Sequence, residues 1–176
     1  MPTQKDEENG MPQEVVKLYF GFTLRKLKVF LSLVLLSITE ILGYSAIATF
    51  FPVVAANKGL SPGEIGLVFA SYSISGIFAA LVAGTILVKI GTKFCVLSGM
   101  FFNAGALICF GFLDQTALTP FYVLSIASRG LMGFGCNLAY TAMYAIIFSE
   151  FEDRSITVVG MSETLVSIGG MIGPLV

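Results

Sequence analysis

The amino-acid sequence predicts an all-α membrane protein, an incomplete bundle of about five transmembrane helices. Of its 176 residues, 56% are hydrophobic and 12% are charged, and the mean hydropathy is +0.88. Soluble domains carry about twice that share of charged residues, so this chain has too little polar surface for water. Its apolar segments reach the length of about 20 residues that a helix needs to cross a bilayer. Helices are expected because they satisfy their own backbone hydrogen bonds in lipid, and the alternating pattern of barrel strands is absent from the sequence.

Residues 1–28 precede the first apolar segment and are predicted to form a cytoplasmic tail. Residues 1–13 are polar and acidic, which is typical of a disordered terminus and unlike a cleavable signal peptide. Residues 14–28 mix apolar and basic side chains and are predicted to lie along the membrane surface as a short amphipathic helix. The transmembrane region, residues 29–176, then holds five predicted spans, at about 29–56, 65–88, 94–113, 119–149 and 155–176.

Short turn-like segments connect the spans, and the first of them carries a helix-start signal. Ser61 is a predicted N-cap, Pro62 takes the first helical position, and Glu64 completes a capping box. The second span also carries a ridge of small residues, which is predicted to be a packing surface for another helix. The ridge consists of Gly76, Ala80 and Gly84.

The basic residues predict that the N-terminus lies in the cytoplasm. With that orientation, eight Lys and Arg residues face the cytoplasm, Lys58 faces the opposite side, and Arg129 lies inside the membrane. The eight are Lys5, Lys17, Arg25, Lys26, Lys28, Lys89, Lys93 and Arg154. Because basic residues accumulate in the cytoplasmic loops of membrane proteins, this asymmetry determines the predicted topology.

Glu40 is the acidic residue of the first span. It lies 11 residues past Val29, which is roughly 16 Å along a helix and near the membrane midplane. A charge that faces lipid costs at least about 2.5–3.5 kcal/mol, so Glu40 is expected to face the bundle interior or a watery cavity. Tyr44 follows one turn later on the same face, within reach of a hydrogen bond. A carboxylate at this depth suits a proton acceptor or a cation counter-ion; the competing interpretation is an acid satisfied by a neighbouring helix.

Arg129 lies about ten residues into the fourth span and shares its helix face with four other residues on a 3.6-residue repeat. These are Gly133, Cys136, Tyr140 and Tyr144. The stripe offers a fixed cation, a gap for close helix approach and two phenols, and aromatic faces together with carboxylates suit an organic cation. The competing interpretation is a structural Arg that binds the carbonyls of a broken helix.

Glu163 is the acidic residue of the fifth span. Its side of the helix also carries glycines and a proline, which indicate close packing and a bend in a membrane helix. Glu163 is a candidate partner of Arg129 or a member of a proton path, and a structural role is equally compatible with the sequence.

Other kinds of chemistry find little support. The sequence has no His, which excludes a Ser/His/Asp triad and a His-ligated metal, and no phosphate loop or nucleophile–base pair indicates an enzyme. No cofactor or metal site is predicted, and the net charge of −1 gives no reason to expect a nucleic-acid partner. The three cysteines lack metal-ligand spacing and are interpreted as small apolar residues. They are Cys95, Cys109 and Cys136.

The connection between the second and third spans resembles a motif of the major facilitator superfamily. That family carries Gly-x-x-x-Asp-Arg/Lys-x-Gly followed by basic residues at this place. Val88 stands at the acidic position and Thr92 at a basic one, and these departures weaken the charge relay that the motif implies. The matching residues, which form the predicted gating loop, are Gly84, Lys89, Gly91 and Lys93.

Two further motifs of that family follow in order. An Arg followed four residues later by Gly matches Arg129 and Gly133, and the antiporter motif Gly-x-x-x-Gly-Pro matches Gly169, Gly173 and Pro174, a predicted helix bend. The resemblance implies a carrier of two six-helix halves, each an inverted pair of three-helix repeats, with substrate bound between the halves. The chain stops inside the fifth helix, so it is expected to be a fragment or truncated product without the C-terminal helices.

A closer resemblance is to the vesicular amine transporter branch, especially its polyamine-transporter-like members. The matching segments are 44–52, 58–61, 65–69, 87–94 and 162–164, and the resemblance extends over residues 29–176. In that branch an Asp of the first helix precedes a Pro by a dozen residues, and Glu40 has this spacing before Pro52. The resemblance implies that Glu40 contacts an amine and that the carrier lies in a secretory or synaptic-type vesicle membrane.

The sequence therefore predicts part of a carrier that exchanges protons for small organic cations, amines or polyamines. One alternative is a carrier for other small solutes, such as drugs or anions, with Arg129 as the substrate ligand. Another is a non-transporting membrane scaffold, which ionisable residues inside the spans disfavour because a scaffold needs none. The residues predicted to bind substrate or protons are Glu40, Tyr44, Arg129, Tyr140 and Glu163.

Overall fold

A computed structural model describes residues 23–172, and in that range the chain is a helical bundle without strands. This confirms the predicted all-α fold. The predicted tail up to residue 22, and Gly173 and Pro174 of the helix-bend motif, lie outside the described residues. The α-helices are α1 (Leu24–Asn57), α2 (Pro62–Ile90), α3 (Thr92–Gly111), α4 (Leu118–Glu150) and α5 (Ser155–Ile172), and two short 3-10 helices lie at Leu113–Gln115 and Glu152–Arg154.

Four of the described helices, α1 to α4, are long and apolar enough to cross a membrane. The fifth, α5, runs to the last described residue. α1 begins at Leu24, so residues 24–28 continue the first helix, whereas the sequence assigns them to a separate surface helix. The basic side chains in this turn make the extension possible, because their long stems let the charged groups reach the membrane interface.

The turn between α2 and α3 is much shorter than the predicted loop of residues 89–93. Only Gly91 separates the two helices, with φ +91° and ψ 151°. Its backbone N–H still donates a hydrogen bond to the Leu87 carbonyl oxygen, at 3.0 Å. This backbone conformation is open almost only to glycine, so the glycine of the family motif marks the point where one helix turns into the next.

The connection between α1 and α2 has the predicted capping box. The Glu64 N–H donates to Ser61 Oγ at 3.4 Å, and the Ser61 N–H donates to Glu64 Oε2 at 2.7 Å. Beside it, Lys58 Nζ donates to the carbonyl oxygens of Asp114 and Thr116 and lies 3.4 Å from Asp114 Oδ1. These contacts tie the α1–α2 connection to the α3–α4 connection.

α4 is the central helix of the described bundle. It packs most extensively against α2 and α3, whereas α1 packs mainly against α5. Glycines allow the closest approach: a Cβ added to Gly99 would lie 2.5 Å from the Gly135 carbonyl oxygen, and one added to Gly135 would lie 2.6 Å from that of Gly99. On the other side of α4, a Cβ at Gly133 would overlap the Tyr72 carbonyl oxygen of α2.

The small-residue surface of α2 differs from the predicted ridge. Gly76 is buried together with Ala79 and Ala83, whereas Ala80 and Gly84 are exposed. Residues four apart advance by about 40° around a 3.6-residue helix, so a series spaced by four residues each time drifts away from one face. A series that alternates spacings of three and four residues stays on that face. Among the described residues, the predicted ridge is therefore buried at Gly76 and not at Ala80 or Gly84.

Two apolar clusters fill the interior, one toward each end of the bundle. Phe30 and Leu138 belong to the cluster near the start of α1, and Phe51 and Phe121 to the other. On α1, α2 and α3, polar side chains fall between the positions that contribute to the two clusters. With their neighbours on α4 they form the central polar cluster, which consists of Glu40, Tyr44, Tyr72, Asn103, Arg129, Cys136 and Tyr140.

Candidate functional site

Glu40 is buried inside the bundle, with 6% of its surface exposed. Its Oε1 accepts a hydrogen bond from Asn103 Nδ2 of α3, at 3.2 Å. Its Oε2 accepts no hydrogen bond of normal geometry from the described residues, and the Cys136 thiol lies beside the carboxyl group. The neighbour that binds Glu40 is therefore an amide of α3, and not Tyr44 of its own helix as the sequence suggests.

A phenol and a thiol continue the polar contacts from Glu40. The Tyr72 hydroxyl donates a hydrogen bond to Cys136 Sγ at 2.8 Å, and the Tyr72 and Tyr44 ring centroids are 5.2 Å apart. Cys136 thus belongs to the central polar cluster, whereas the sequence predicts that all three cysteines are small apolar residues. Cys95, in contrast, is buried within an apolar cluster, as that interpretation expects.

Arg129 is completely buried, and aromatic rings surround its charge. Its guanidinium carbon lies 5.0 Å from the ring centroid of Tyr44, 4.8 Å from that of Phe69 and 5.2 Å from that of Tyr72. Its side-chain nitrogens make no hydrogen bond of normal geometry with the described residues. Ring faces are negative and attract cations, so the rings stabilise this charge inside the bundle.

Glu163 lies away from Arg129, next to the tyrosines of α4. The Tyr144 hydroxyl donates a hydrogen bond to Glu163 Oε1 at 2.5 Å, and the Tyr144 and Tyr140 ring centroids are 6.2 Å apart. Within the described residues, the structure therefore pairs Glu163 with a phenol, and the Arg129 pairing considered from the sequence is not formed.

Two adjoining cavities open among these side chains, and together they form the central cleft. The smaller, of 210 Å³, is lined by Glu40, and the larger, of 590 Å³, is lined by Glu163. Arg129 and Asn103 line neither cavity, although both contact residues that do. The residues that line both cavities are Ile41, Tyr72, Cys136 and Tyr140. The cleft thus combines two carboxyl groups with aromatic faces, a lining suited to an organic cation.

The predicted gating loop lies apart from the central cleft. Lys89 and Lys93 are exposed on either side of the turn at Gly91, and a Cβ at Gly84 would meet no atom of the described residues within 4 Å. Of the helix-bend motif, Gly169 is buried, and its added Cβ would lie 3.2 Å from Ile38 Cγ2 of α1. Gly169 therefore serves the packing of α5 on α1.

Sequence reasoning missed three residues of the site: Asn103, Tyr72 and Phe69. The second and third spans carry no charge, and the pattern that predicts the site starts from charged residues inside spans and their neighbours on the same helix face. An amide near the middle of an apolar span was a usable signal for Asn103, because a buried amide needs a hydrogen-bond partner. Phe69 carried no signal, since a phenylalanine is ordinary in such a segment.

Comparisons with known proteins agree on one family. The model of the Major Facilitator Superfamily matches residues 33–176. The MFS-type transporter SLC18B1 of Rattus norvegicus is 36% identical over 132 residues, which cover 74% of this chain and 29% of that protein. The protein of the same name from Homo sapiens is 35% identical over 132 residues, with the same coverage of 74% and 29%.

A bacterial relative is more distant. The multidrug efflux protein YfmO of Bacillus subtilis is 25% identical over 138 residues, which cover 78% of this chain and 33% of that protein. This chain thus spans 29% of the length of the SLC18B1 proteins that it matches. No solved structure matches the chain.

Proposed function

This chain belongs to the major facilitator superfamily, and from that premise we propose that it forms part of a carrier that exchanges protons for small organic cations, amines or polyamines. The observation that carries the proposal is Glu40, a carboxyl group with 6% exposure that lines a tyrosine-rich cleft. The partners of the carrier are then the bilayer, protons, the organic cation and further helices of the same protein. The resemblance to the vesicular amine branch supports a vesicle membrane as its location.

Burial gives Glu40 a reason to bind two competing ligands. A carboxylate that is removed from water must be neutralised by a proton or by a cation. One oxygen of Glu40 has the Asn103 amide as its partner, and the other has no hydrogen bond of normal geometry from the described residues. A proton and an ammonium group therefore compete for the same oxygen, and this competition couples the two fluxes in opposite directions.

The tyrosines supply the rest of an amine site. Tyr44, Tyr72 and Tyr140 line the smaller cavity together with Glu40, and their faces attract an ammonium group or pack against an apolar body. Arg129 does not line either cavity and acts through Tyr44 and Tyr72, so we assign it a positioning role. Its complete burial gives no support to the alternative in which Arg129 binds an anionic substrate directly.

Glu163 adds a second acidic position in the larger cavity. The cavity beside Glu40 and the cavity beside Glu163 share four lining residues, so the two carboxyl groups lie in one continuous cleft. The shared residues are Ile41, Tyr72, Cys136 and Tyr140. A cation with two ammonium groups has a carboxyl group for each of them in such a cleft. This arrangement supports polyamines within the proposed substrate class.

The test uses the full-length carrier in proteoliposomes with an acidic interior. The Glu40→Gln substitution keeps the shape of the side chain and removes its charge. Proton-driven uptake of a labelled amine should therefore be abolished, while the protein still inserts into the membrane. Glu40→Asp should retain part of the uptake, because the charge persists one methylene shorter. Labelled 1,4-diaminobutane and 2-phenylethylamine serve as the two probes.

The control variant is Thr39→Val, which alters the exposed neighbour of Glu40 on the outer face of α1. Within the described residues, its Oγ1 bonds only the Leu35 carbonyl oxygen of the same helix, so uptake should stay near the wild-type rate. Full uptake by Glu40→Gln at normal abundance would contradict the proposal and make Glu163 the leading coupling carboxyl group.

The similarity to a multidrug efflux protein favours a second candidate function, the transport of larger hydrophobic drugs. The same proteoliposomes distinguish the two. Uptake of a bulky aromatic drug that neither labelled amine inhibits would favour the drug carrier, whereas uptake of the small amines supports the first proposal.

A further inference from the structure

Asn103 of α3 is a buried amide with one specific partner. Its side chain is 9% exposed, and its Nδ2 lies 3.2 Å from Glu40 Oε1. It lines neither cavity of the central cleft, so its contact with Glu40 lies outside the lining of the space available to a substrate. A buried amide is costly unless it is hydrogen-bonded, which makes the contact with Glu40 energetically significant for both groups.

The packing of α3 on α4 brings this amide within reach of α1. Gly99 lies one turn before Asn103, and its added Cβ would lie 2.5 Å from the Gly135 carbonyl oxygen. A Cβ on Gly135 would lie 3.0 Å from the Asn103 backbone nitrogen, so α4 has no side chain at the point where Asn103 passes it. The two glycines therefore let α3 pack closely on α4, and in this packing the Asn103 amide reaches Glu40.

We propose that Asn103 is a positioning residue that holds Oε1 of Glu40 and leaves Oε2 as the single acceptor for a proton or an ammonium group. The inference rests on the proposed function for its role in transport, but the contact itself is independent of the substrate. An N–H donor stabilises a carboxylate more than a carboxylic acid, because hydrogen bonds to charged groups are stronger. Asn103 thereby sets how firmly Glu40 holds its proton.

The other groups around Glu40 make no hydrogen bond of normal geometry to its carboxyl group within the described residues. Tyr44 lies on the same helix, Tyr72 faces it from α2, and Cys136 and Tyr140 face it from α4. Tyr72 donates to Cys136, Arg129 is enclosed by aromatic rings, and Glu163 of α5 accepts from Tyr144. Among the described residues, Asn103 makes the hydrogen bond of normal geometry to the Glu40 carboxyl group.

The test measures the protonation of Glu40 without using transport. Dicyclohexylcarbodiimide adds to protonated carboxyl groups in membranes, and peptide mass mapping of the complete carrier reports labelling at each position. The pH of half-labelling at Glu40 should rise by about one unit in Asn103→Leu, because the side chain keeps its size and loses the donor to the carboxylate. Glu163 is the internal control: its partner is Tyr144, so its half-labelling pH should not change.

Two variants complete the experiment. Ser98→Ala removes a hydroxyl of the same helix that, in the part of the chain that the structure describes, bonds only the Cys95 carbonyl oxygen, and it should leave Glu40 labelling unchanged. If Asn103→Leu does not accumulate, Asn103→Ala gives the same readout with a smaller side chain. An unchanged half-labelling pH at Glu40, or no labelling of Glu40 at acidic pH, would overturn the inference.

The outcome is separable from that of the proposed function. Protection of wild-type Glu40 from the carbodiimide by 1,4-diaminobutane or 2-phenylethylamine tests amine binding. A shift in Asn103→Leu without amine protection would support the positioning role and contradict the amine carrier. Amine protection of Glu40 without a shift of its half-labelling pH in Asn103→Leu would support the amine carrier and contradict the positioning role.

Discussion

At the scale of single residues, Arg129 shows how a charge can be buried away from a carboxylate. Three ring faces lie about it, with the guanidinium carbon 4.8 to 5.2 Å from their centroids. A planar, weakly hydrated guanidinium stacks on such faces, whereas the compact ammonium of lysine is strongly hydrated and holds its water. The residue type at this position is therefore as important as its charge.

We expect Arg129→Lys to lower amine uptake by the full carrier by about five- to thirtyfold, because a lost stacking contact of about 1–2 kcal/mol would release Tyr44 and Tyr72. The measurement is the initial uptake rate in proteoliposomes, normalised to protein abundance. Arg154→Lys, at an exposed position, is the control and should transport normally. Wild-type uptake by Arg129→Lys at normal abundance would show that only positive charge is required.

The residues of the site divide according to the signal that they leave in the sequence. Glu40 and Arg129 were predictable, because a charge inside an apolar span has to face the interior. Which residue contacts which was not predictable, since Phe69 resembles any lipid-facing residue and the amide of Asn103 does not reveal that its partner lies on a different helix. The sequence therefore predicts which groups need a partner, and the fold decides which residue supplies it.

At the scale of helices, the α3–α4 contact depends on facing glycines. A Cβ on either Gly99 or Gly135 would lie 2.5 to 2.6 Å from the other glycine's carbonyl oxygen, and backbone cannot move as a side chain can. We expect Gly135→Ala to destabilise the protein by about 1–3 kcal/mol through overpacking. Thermal unfolding in detergent, followed by a thiol-reactive dye or by loss of monodisperse protein, measures the effect.

A matched control lies on the same helix. A Cβ at Gly130 would meet no atom of the described residues within 4 Å, so Gly130→Ala should be neutral or stabilise α4 by about 0.5–1 kcal/mol. Equal melting temperatures for the two variants would contradict the proposed close contact.

The α2–α3 turn depends on a glycine for a different reason. Gly91 has φ +91°, a conformation that costs a residue with a Cβ about 1–3 kcal/mol. Gly91→Ala should therefore lower the melting temperature, whereas Gly63→Ala, at a glycine without positive φ or close neighbours, should not. An unchanged melting temperature for Gly91→Ala would show that the turn adapts without strain.

Helix ends were harder to predict than helices. Apolar length marks the part of a helix that lies in lipid, but a helix continues until its backbone is turned, as α2 does through Lys89 to Ile90. The start of α2 was predictable because Ser61 and Glu64 form a capping box, a signal in the side chains themselves. The one-residue turn at Gly91 was not, because polar lysines on either side suggest a longer loop.

At the scale of the whole molecule, the predicted topology places Lys58 and the α2–α3 turn on opposite sides of the membrane. α2 has 29 residues, which is about 43 Å of helix and more than the thickness of the hydrocarbon core. We expect a cysteine at position 93 to react with an impermeant maleimide only from the cytoplasmic side, and one at position 58 only from the other.

The labelling background is Cys109→Ser, because Cys109 is exposed whereas Cys95 and Cys136 are buried. Sealed vesicles of known orientation give the sidedness, and permeabilised vesicles give the total labelling of each site. Cytoplasmic labelling of position 58 would reject the topology.

The enclosure of Arg129 has a consequence for the order in which the protein is made. An arginine that leaves the translocon into lipid costs at least about 2.5–3.5 kcal/mol until it is covered. The rings that cover Arg129 belong to Tyr44 of α1 and to Phe69 and Tyr72 of α2, and both helices are synthesised before α4. The ribosome therefore delivers the three rings before the charge, so the residues that cover Arg129 are already in the membrane when Arg129 enters it.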